Sequence, residues 1–379
     1  MYRSSRVAAM ALHDWNGGMS DMQIELKAVR DELDRVDAAL VGLVNDRARL
    51  AERIGRIKAA HGMAVYAPDR EREVLDRVAG LNPGPMSDRA LRTVYRELMS
   101  ASLVLERAPC VALLGPEGSF SHLAVRRKFG AGVTLEFMHT ITAVVEAVAR
   151  EQAELAMAPV ENSTVGGVGE TLDALIDRDV VVCGEVYLAI HHHLLASGPL
   201  ESITRIYTKP EVVSQCQKWL AETGFSDKVI PTPSTSAAAE QASREPGSAA
   251  IAGELAGERF GLSTVAPRIE DDPGNVTRFL ILGRTAPRPT GSDKTSLVFS
   301  VGDEPGLLAS ALDVFRRTGI NMTRIESRPN RHQKWSYWFF VDIDGHADTP
   351  DVADALTETA KRCSYWKVLG AYPRAVDTV

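Results

Sequence analysis

The stretch DDPGNVTRFLILG, residues 271–283, carries an acidic turn broken by Pro273 and Gly274, followed at once by an apolar run. Thr277 and Arg278 stand at the point where one becomes the other. Asn275 and Thr277 have the chemistry to close turn hydrogen bonds, so the segment alone reads as a loop feeding a buried strand. Upstream, short apolar runs (CVALLG from 110, LAMAPV from 155, VVVCGEVYLAI from 180, RIYT from 205, AAIAG from 249) alternate with helical runs near 140–151, 170–178, 211–223 and 235–244. That alternation is the signature of α/β architecture.

Outward from this block the texture changes twice. Before it, residues 21–107 are helical throughout. Leu26, Val29, Leu33, Val36, Leu40, Leu43, Leu50, Ile54 and Ile57 recur in steps of three and four, a heptad seam. A helix over 22–61 would be about 60 Å long. No small domain needs such a length, so it is expected to pack against a second copy of itself. Two shorter helices follow, one opening at Pro68 and one capped by Ser87. After the block, a Pro/Gly/Ser-rich linker at 286–294 leads into a tail read as strand–helix–strand–strand–helix–strand, the ferredoxin-like order.

With 379 residues, a net charge of −7 and no basic patch interleaved with aromatics, nucleic-acid binding is not expected. Cys110, Cys183, Cys216 and Cys363 show no CxxC pairing and read as thiols in a reducing compartment. The apolar run near the N-terminus is too short for an export signal, and no stretch is suited to cross a membrane. Residues 1–20 are expected to be a disordered extension, and the location cytoplasmic. The three histidines at 191–193 would alternate faces along a strand, so they are not expected to share one metal ion.

Chemistry shows first as misplaced charge. Residues 21–107 hold fifteen Lys/Arg and fifteen Asp/Glu, so Arg47 on the heptad seam is no part of a general basic excess. Lys58 lies on nearly the same helical face, and Arg30 points elsewhere, toward a site across a dimer axis. Ser102 puts a hydroxyl on the apolar stripe of the third helix, Glu106 follows one turn on, and Arg70 and Glu71 open the second helix. Such a pocket is either an interhelical salt-bridge network or a seat for a small, multiply anionic ligand.

The order Arg30, Arg47, Lys58, Arg70-Glu71, Ser102, Glu106 resembles the all-helical chorismate mutase family, an intertwined dimer. The resemblance implies that Arg30 reaches the partner's site and that Arg47 and Lys58 grip substrate carboxylates. Glu71 and Ser102 match positions that hold the substrate's hydroxyl and ring carboxylate. Ala67 stands where that family often has aspartate, and Glu106 where it often has glutamine. The reaction is a pericyclic rearrangement, in which catalysis holds the reactive conformer and stabilises charge on the breaking ether oxygen. A carboxylate cannot donate a hydrogen bond there, so Glu106 in that role must be protonated.

LLGPEGSFSH at 113–122 and APVENSTVGGVGETLDAL at 158–175 each place free N–H groups and small hydroxyls at a helix start, a seat for a carboxylate. With NVTRF at 275–279 and STSAA at 234–238 they resemble prephenate dehydratase, two α/β lobes with the site between them. Thr277 matches the threonine expected to protonate the departing ring hydroxyl. Ser119, Glu161, Asn162, Ser163 and Gln215 match polar cleft positions, and Arg278 either holds a carboxylate or pins the strand. The tail resembles the ACT regulatory domain, with ESRP at 326–329 as effector motif. Phenylalanine is the implied effector, between the ACT domains of two subunits. Gly306, Leu307, Leu308, Asn321, Glu326, Ser327, Arg328 and Pro329 are the implied contacts.

The expected fold class is therefore multidomain, α plus α/β plus α+β: a three-helix mutase domain at 21–107, a two-lobed, periplasmic-binding-protein-like dehydratase domain at 108–285, and a ferredoxin-like ACT domain at 295–375. Chorismate, prephenate and phenylalanine are the small molecules implied, in a homodimer joined through the helical and ACT domains, with no cofactor. Two rival readings stay open at this level: a dehydratase whose helices only dimerise, and a non-catalytic amino-acid sensor.

Overall fold

The computed structural model describes residues 21–330 and 335–379. The expectation for residues 1–20 lies outside the described residues. Three helices open the chain: α1 (Asp21–Ala60), α2 (Pro68–Gly80) and α3 (Asp88–Arg107). Pro68 starts α2, where a missing N–H costs nothing, and Ser87 caps α3 by accepting from the Ala90 N–H at 3.3 Å. Of the 40 residues of α1, Ala51 and Gly55 alone are buried, both in its second half. The apolar seam from Leu26 through Ile57 stands exposed, without cover among the described residues.

The α/β block runs β1 (Cys110–Leu114), α4 (Phe120–Phe129), β2 (Thr134–Met138), α5 (Ile141–Ala149), β3 (Leu155–Asn162), β4 (Gly166–Gly167), α6 (Gly169–Ile176) and β5 (Val181–Ala189). It continues with β6 (His193–Ala196), β7 (Arg205–Thr208), α7 (Pro210–Gln215), α8 (Gln217–Glu222) and β8 (Val229–Pro231). Then come α9 (Thr235–Arg244), β9 (Ser248–Ala252), α10 (Glu254–Phe260), β10 (Ser263–Ala266) and β11 (Val276–Gly283). The single helix expected over 211–223 is two, parted at Cys216.

These strands build two sheets, β2-β1-β3-β11-β5 with β4 beside β3, and β10-β6-β9-β7-β8. The chain crosses between the lobes twice, through 190–192 and back through 267–275. The opening stretch is the return crossing. Its turn is closed by Asp272 Oδ1, which accepts from the Gly274 N–H at 2.8 Å, and β11 then inserts antiparallel between β3 and β5. The two crossings are tied where Ile190 N–H donates to Asn275 O at 2.8 Å and Ile269 N–H to His192 O at 2.9 Å.

The tail is β12 (Asp293–Ser300), α11 (Leu307–Thr318), β13 (Met322–Pro329), β14 (Tyr337–Asp344), α12 (Pro350–Ala360) and β15 (Tyr365–Pro373), in sheet order β13-β14-β12-β15. One face of this sheet buries Leu297, Phe299 and Val341 with Phe315 of α11 and Leu356 of α12. The other face puts Val298, Trp338, Phe340, Leu369 and Tyr372 into one core with Val144, Leu172, Leu280 and Leu282 of the first lobe. Burial of that size fixes the tail on the lobe rather than leaving it tethered.

Candidate active sites

Period-two alternation along β11 sorts its side chains. Phe279 and Ile281 enter the core under α4, while Leu280 and Leu282 face the tail sheet. Thr277 falls on the first side and Arg278 on the second. The Thr277 hydroxyl oxygen accepts from Asn162 Nδ2 at 2.9 Å. Asn162 is itself fixed: Nδ2 also donates to Asn275 Oδ1 at 2.7 Å, and Oδ1 accepts from the N–H groups of Thr164 and Val165, each at 3.0 Å. Ser163 ties the end of β3 to the start of β11, its hydroxyl accepting from Val276 N–H at 2.9 Å.

Two further expected residues sit on helix ends. Ser119 caps α4, accepting from His122 N–H at 3.3 Å and donating to Leu114 O at 3.1 Å. The Gln215 carbonyl takes His192 Nε2 at 2.8 Å; its NH2 group has no partner among the described residues. The His192 ring packs edge-on against Phe120 at 5.5 Å, and burial holds its imidazole below the ordinary histidine range. From the second lobe the Ser236 hydroxyl donates to Glu117 O, bringing the STSAA helix start against the GPEGS turn.

The three neighbouring histidines take different partners, and only His193 lies on a strand, His191 and His192 being in the crossing before β6. His191 pairs with Glu270 at 2.7 Å, His192 takes Gln215, and His193 Nδ1 accepts from Arg268 N–H at 3.3 Å. Among the described residues no group of three or more His, Cys, Asp or Glu is placed to hold a metal.

Two expected cleft residues face elsewhere. Arg278 is 4% exposed and donates to Glu185 at 2.9 Å, to Asp342 at 2.5 Å and to the Tyr372 hydroxyl at 2.9 Å. It pins the strand against the tail, the second of the two roles the sequence offered. Glu161 lies opposite Arg278 in the ladder and approaches Arg278 at 3.9 Å and Arg324 of β13 at 3.4 Å. The two-residue alternation of the pleat separates these two from Thr277 and Asn162.

In the helical segment Arg47 donates to the Ser102 hydroxyl at 2.7 Å and to Leu98 O at 3.2 Å, and Ser102 donates on to Leu98 O at 2.7 Å. Ser102 thus orients Arg47 before any ligand arrives. Lys58 donates to Val65 O at 2.7 Å and to Glu106 Oε2 at 2.9 Å. Without ligand, Glu106 therefore faces the Lys58 ammonium, whose third N–H stays free to donate. Arg30 is exposed with no partner among the described residues, and Arg70 pairs with Glu73 at 2.6 Å. Glu71 turns to the α/β block, taking Lys128 Nζ at 2.9 Å on both oxygens.

The sequence reading missed Gly55. A Cβ there would lie 2.7 Å from the Glu106 Cα, so α1 and α3 cross this closely because position 55 has no side chain. A glycine inside a long helix, at a cost of roughly 1 kcal/mol against alanine, was the available signal. Gly55→Ala is expected to force the helices apart and cut mutase turnover at least tenfold while dehydratase turnover of added prephenate stays; parallel rate assays on the variant check it.

In the tail, β13 divides its motif by face. Ser327 and Pro329 are exposed, whereas Glu326 and Arg328 turn toward the first lobe. Arg328 donates to Asp173 of α6 at 3.0 and 3.2 Å, and a Cβ on Gly167 or Gly169 would collide with Glu326 or Arg328. Gly306 opens α11 at a φ of 84°, and Asn321 donates to Asp344 at 3.2 Å. Leu307 and Leu308 are half-buried in the first turn of α11.

Comparison with known proteins matches this division. The chorismate mutase type II model matches residues 29–107, the prephenate dehydratase model residues 111–287 and the ACT domain model residues 295–360. The bifunctional chorismate mutase/prephenate dehydratase of Stutzerimonas stutzeri is 41% identical over 93% of this chain and 98% of its own. That of Aquifex aeolicus is also 41% identical, over 93% and 99%. Among solved structures, a prephenate dehydratase from Arthrobacter aurescens in complex with L-Phe superposes at a TM-score of 0.66 with 35% identity, covering 70% of this chain and 90% of that one. A structure described as a novel type of quorum-quenching acylase superposes at 0.65 with 32% identity, covering 70% and 98%, so the shared fold by itself does not fix the chemistry. Relatives matched over nearly their whole length, with all three segments in the same order, decide the assignment: this chain belongs to the bifunctional chorismate mutase/prephenate dehydratase family.

Proposed function

We propose that the chain performs two consecutive reactions, chorismate to prephenate in the helical segment and prephenate to phenylpyruvate between the lobes, with phenylalanine as feedback inhibitor through the ACT domain. The observation that carries the second reaction is the Asn162–Thr277 hydrogen bond. Because the Thr277 oxygen is the acceptor, its own proton is left to give. As the ring carboxylate leaves as carbon dioxide, its bonding pair enters the ring and the ring C–O bond breaks. Thr277 protonates the departing hydroxyl, which leaves as water, and regains a proton from solvent. Aromatisation drives the step, so a weak acid within hydrogen-bond reach is enough. The Gln215 amide and the backbone N–H groups at the Ser119 and Ser234 helix starts suit the substrate's carboxylates.

For the first reaction Arg47 and Lys58 grip the carboxylates, with Lys58 reaching the ether oxygen and Glu71 the hydroxyl. The uncovered seam of α1 supports a homodimer in which a second copy covers it and brings its Arg30 to this site. In the ACT domain, phenylalanine would occupy the Ser327 face of β13 beside Asn321 and the 306–308 turn, in a second interface between copies. Glu326 and Arg328 on the opposite face would carry its effect to α6.

The deciding experiment follows phenylpyruvate formation from chorismate by the full chain. The expected result is phenylpyruvate, suppressed by added phenylalanine. Accumulation of prephenate alone would remove the second reaction, and unconsumed chorismate would leave the helices a dimerising module.

A further inference from the structure

The mutase segment is not self-sufficient around Glu71. Glu71 lies in the first turn of α2 and Lys128 in the last turn of α4, so each charge complements its own helix dipole. The two meet across the boundary between the helical segment and the first lobe. Lys128 Nζ is 2.9 Å from both Glu71 oxygens, and the side chains are 22% and 17% exposed. The lysine is held from below as well, 5.9 Å from the centroid of the Tyr66 ring. Tyr66 in turn packs edge-on against Phe129, the next residue of α4, at 5.1 Å. The Tyr66 hydroxyl is buried without a hydrogen-bond partner, close enough to feel the Glu71 charge, and burial and that charge raise its pKa well above the usual phenol. Lys128 thus supplies the charged hydrogen bonds on both Glu71 oxygens, with the buried Tyr66 hydroxyl beside them.

We propose that Lys128, a dehydratase-domain residue, is a positioning residue for chorismate binding in the mutase site, acting through Glu71. This rests on the reading of Glu71 as the contact to the substrate's hydroxyl. Both Glu71 oxygens are engaged by one ammonium, which fixes the carboxylate plane and leaves outward lone pairs for the hydroxyl donor. A contact to a hydroxyl that takes no part in bond making is present in the ground state and the transition state alike. Losing it raises KM and spares kcat.

The test is steady-state kinetics of the full chain for Lys128→Met, Lys128→Arg, Glu71→Gln and the Lys128→Met/Glu71→Gln double variant. Lys128→Met is expected to raise KM for chorismate about tenfold with kcat within threefold, for an interaction worth roughly 1.4 kcal/mol. Turnover of added prephenate stays at the parent rate. Lys128→Arg recovers most of the loss, and the double variant is no worse than Glu71→Gln. A purely structural lysine would instead lower both activities and the thermal midpoint together. Parent-like KM in Lys128→Met beside a raised KM in Glu71→Gln overturns the proposal alone. A silent Glu71→Gln overturns the reading of Glu71 and the proposal with it.

Discussion

Replacing Thr277 with valine is expected to slow phenylpyruvate formation from prephenate by roughly 10²–10⁴-fold, the range that a positioned proton donor contributes. Chorismate consumption should continue at the parent rate, because Thr277 belongs to β11 and the mutase groups to α1, α2 and α3. Valine keeps the shape and β-branching of threonine, so the strand entry is preserved. Asn162 loses one acceptor but keeps Asn275 at 2.7 Å, which limits the structural cost. The fall should therefore come with a thermal midpoint close to the parent's. Serine at 277 would keep the hydroxyl and much of the rate. If valine retained more than a tenth of the parent rate, the proton would have to come from another group, and the Asn162–Thr277 bond would be a strand-entry tie and nothing more.

Much of this was legible in the chain, and the parts that were not share one physical cause. Heptad spacing gave α1 to within one residue at each end, since a 3.5-residue repeat admits no other element. The tail's strand–helix order was read correctly because turn residues bound each strand and the helical runs keep their own period. Thr277 and Asn162, drawn from two separate motifs, sit side by side. What the residues left open was direction. Arg278 is adjacent to Thr277 in sequence, and the pleat sends it to the opposite face of the sheet, where the tail packs. Glu161 follows it through cross-strand pairing. Lys128 and Asp173 were invisible because their partners are 57 and 155 residues away, in other domains. No periodicity encodes a contact between domains.

Arg278→Leu should show how much rests on that side chain. The guanidinium is buried between Glu185 of β5, Asp342 of β14 and Tyr372 of β15. Lys294 backs Glu185 at 3.1 Å, and Ser296 donates to Asp342 at 2.5 Å. Removing one partner of a buried ion pair leaves the others uncompensated, at a cost of about 3–5 kcal/mol. The expected loss is in the midpoint of chemical denaturation, with KM for prephenate unchanged, since the residue faces away from Thr277. An unchanged midpoint with a raised KM would return Arg278 to the cleft. The pH slope gives a second reading. Burial works against the Asp342 carboxylate, but Arg278 and Ser296 outweigh it and hold its pKa below the ordinary value. In the parent this contribution is whole above the unfolded pKa, about 3.9, and disappears as pH falls through the lower folded value. Without Arg278, burial dominates and the folded pKa moves above the unfolded one. The variant's deficit should then shrink as pH falls toward 4, because protonation relieves the unpaired charge. Denaturation midpoints measured from pH 7 to pH 4 should therefore converge between parent and variant; midpoints that stay parallel would mean that Asp342 is not the charge Arg278 holds.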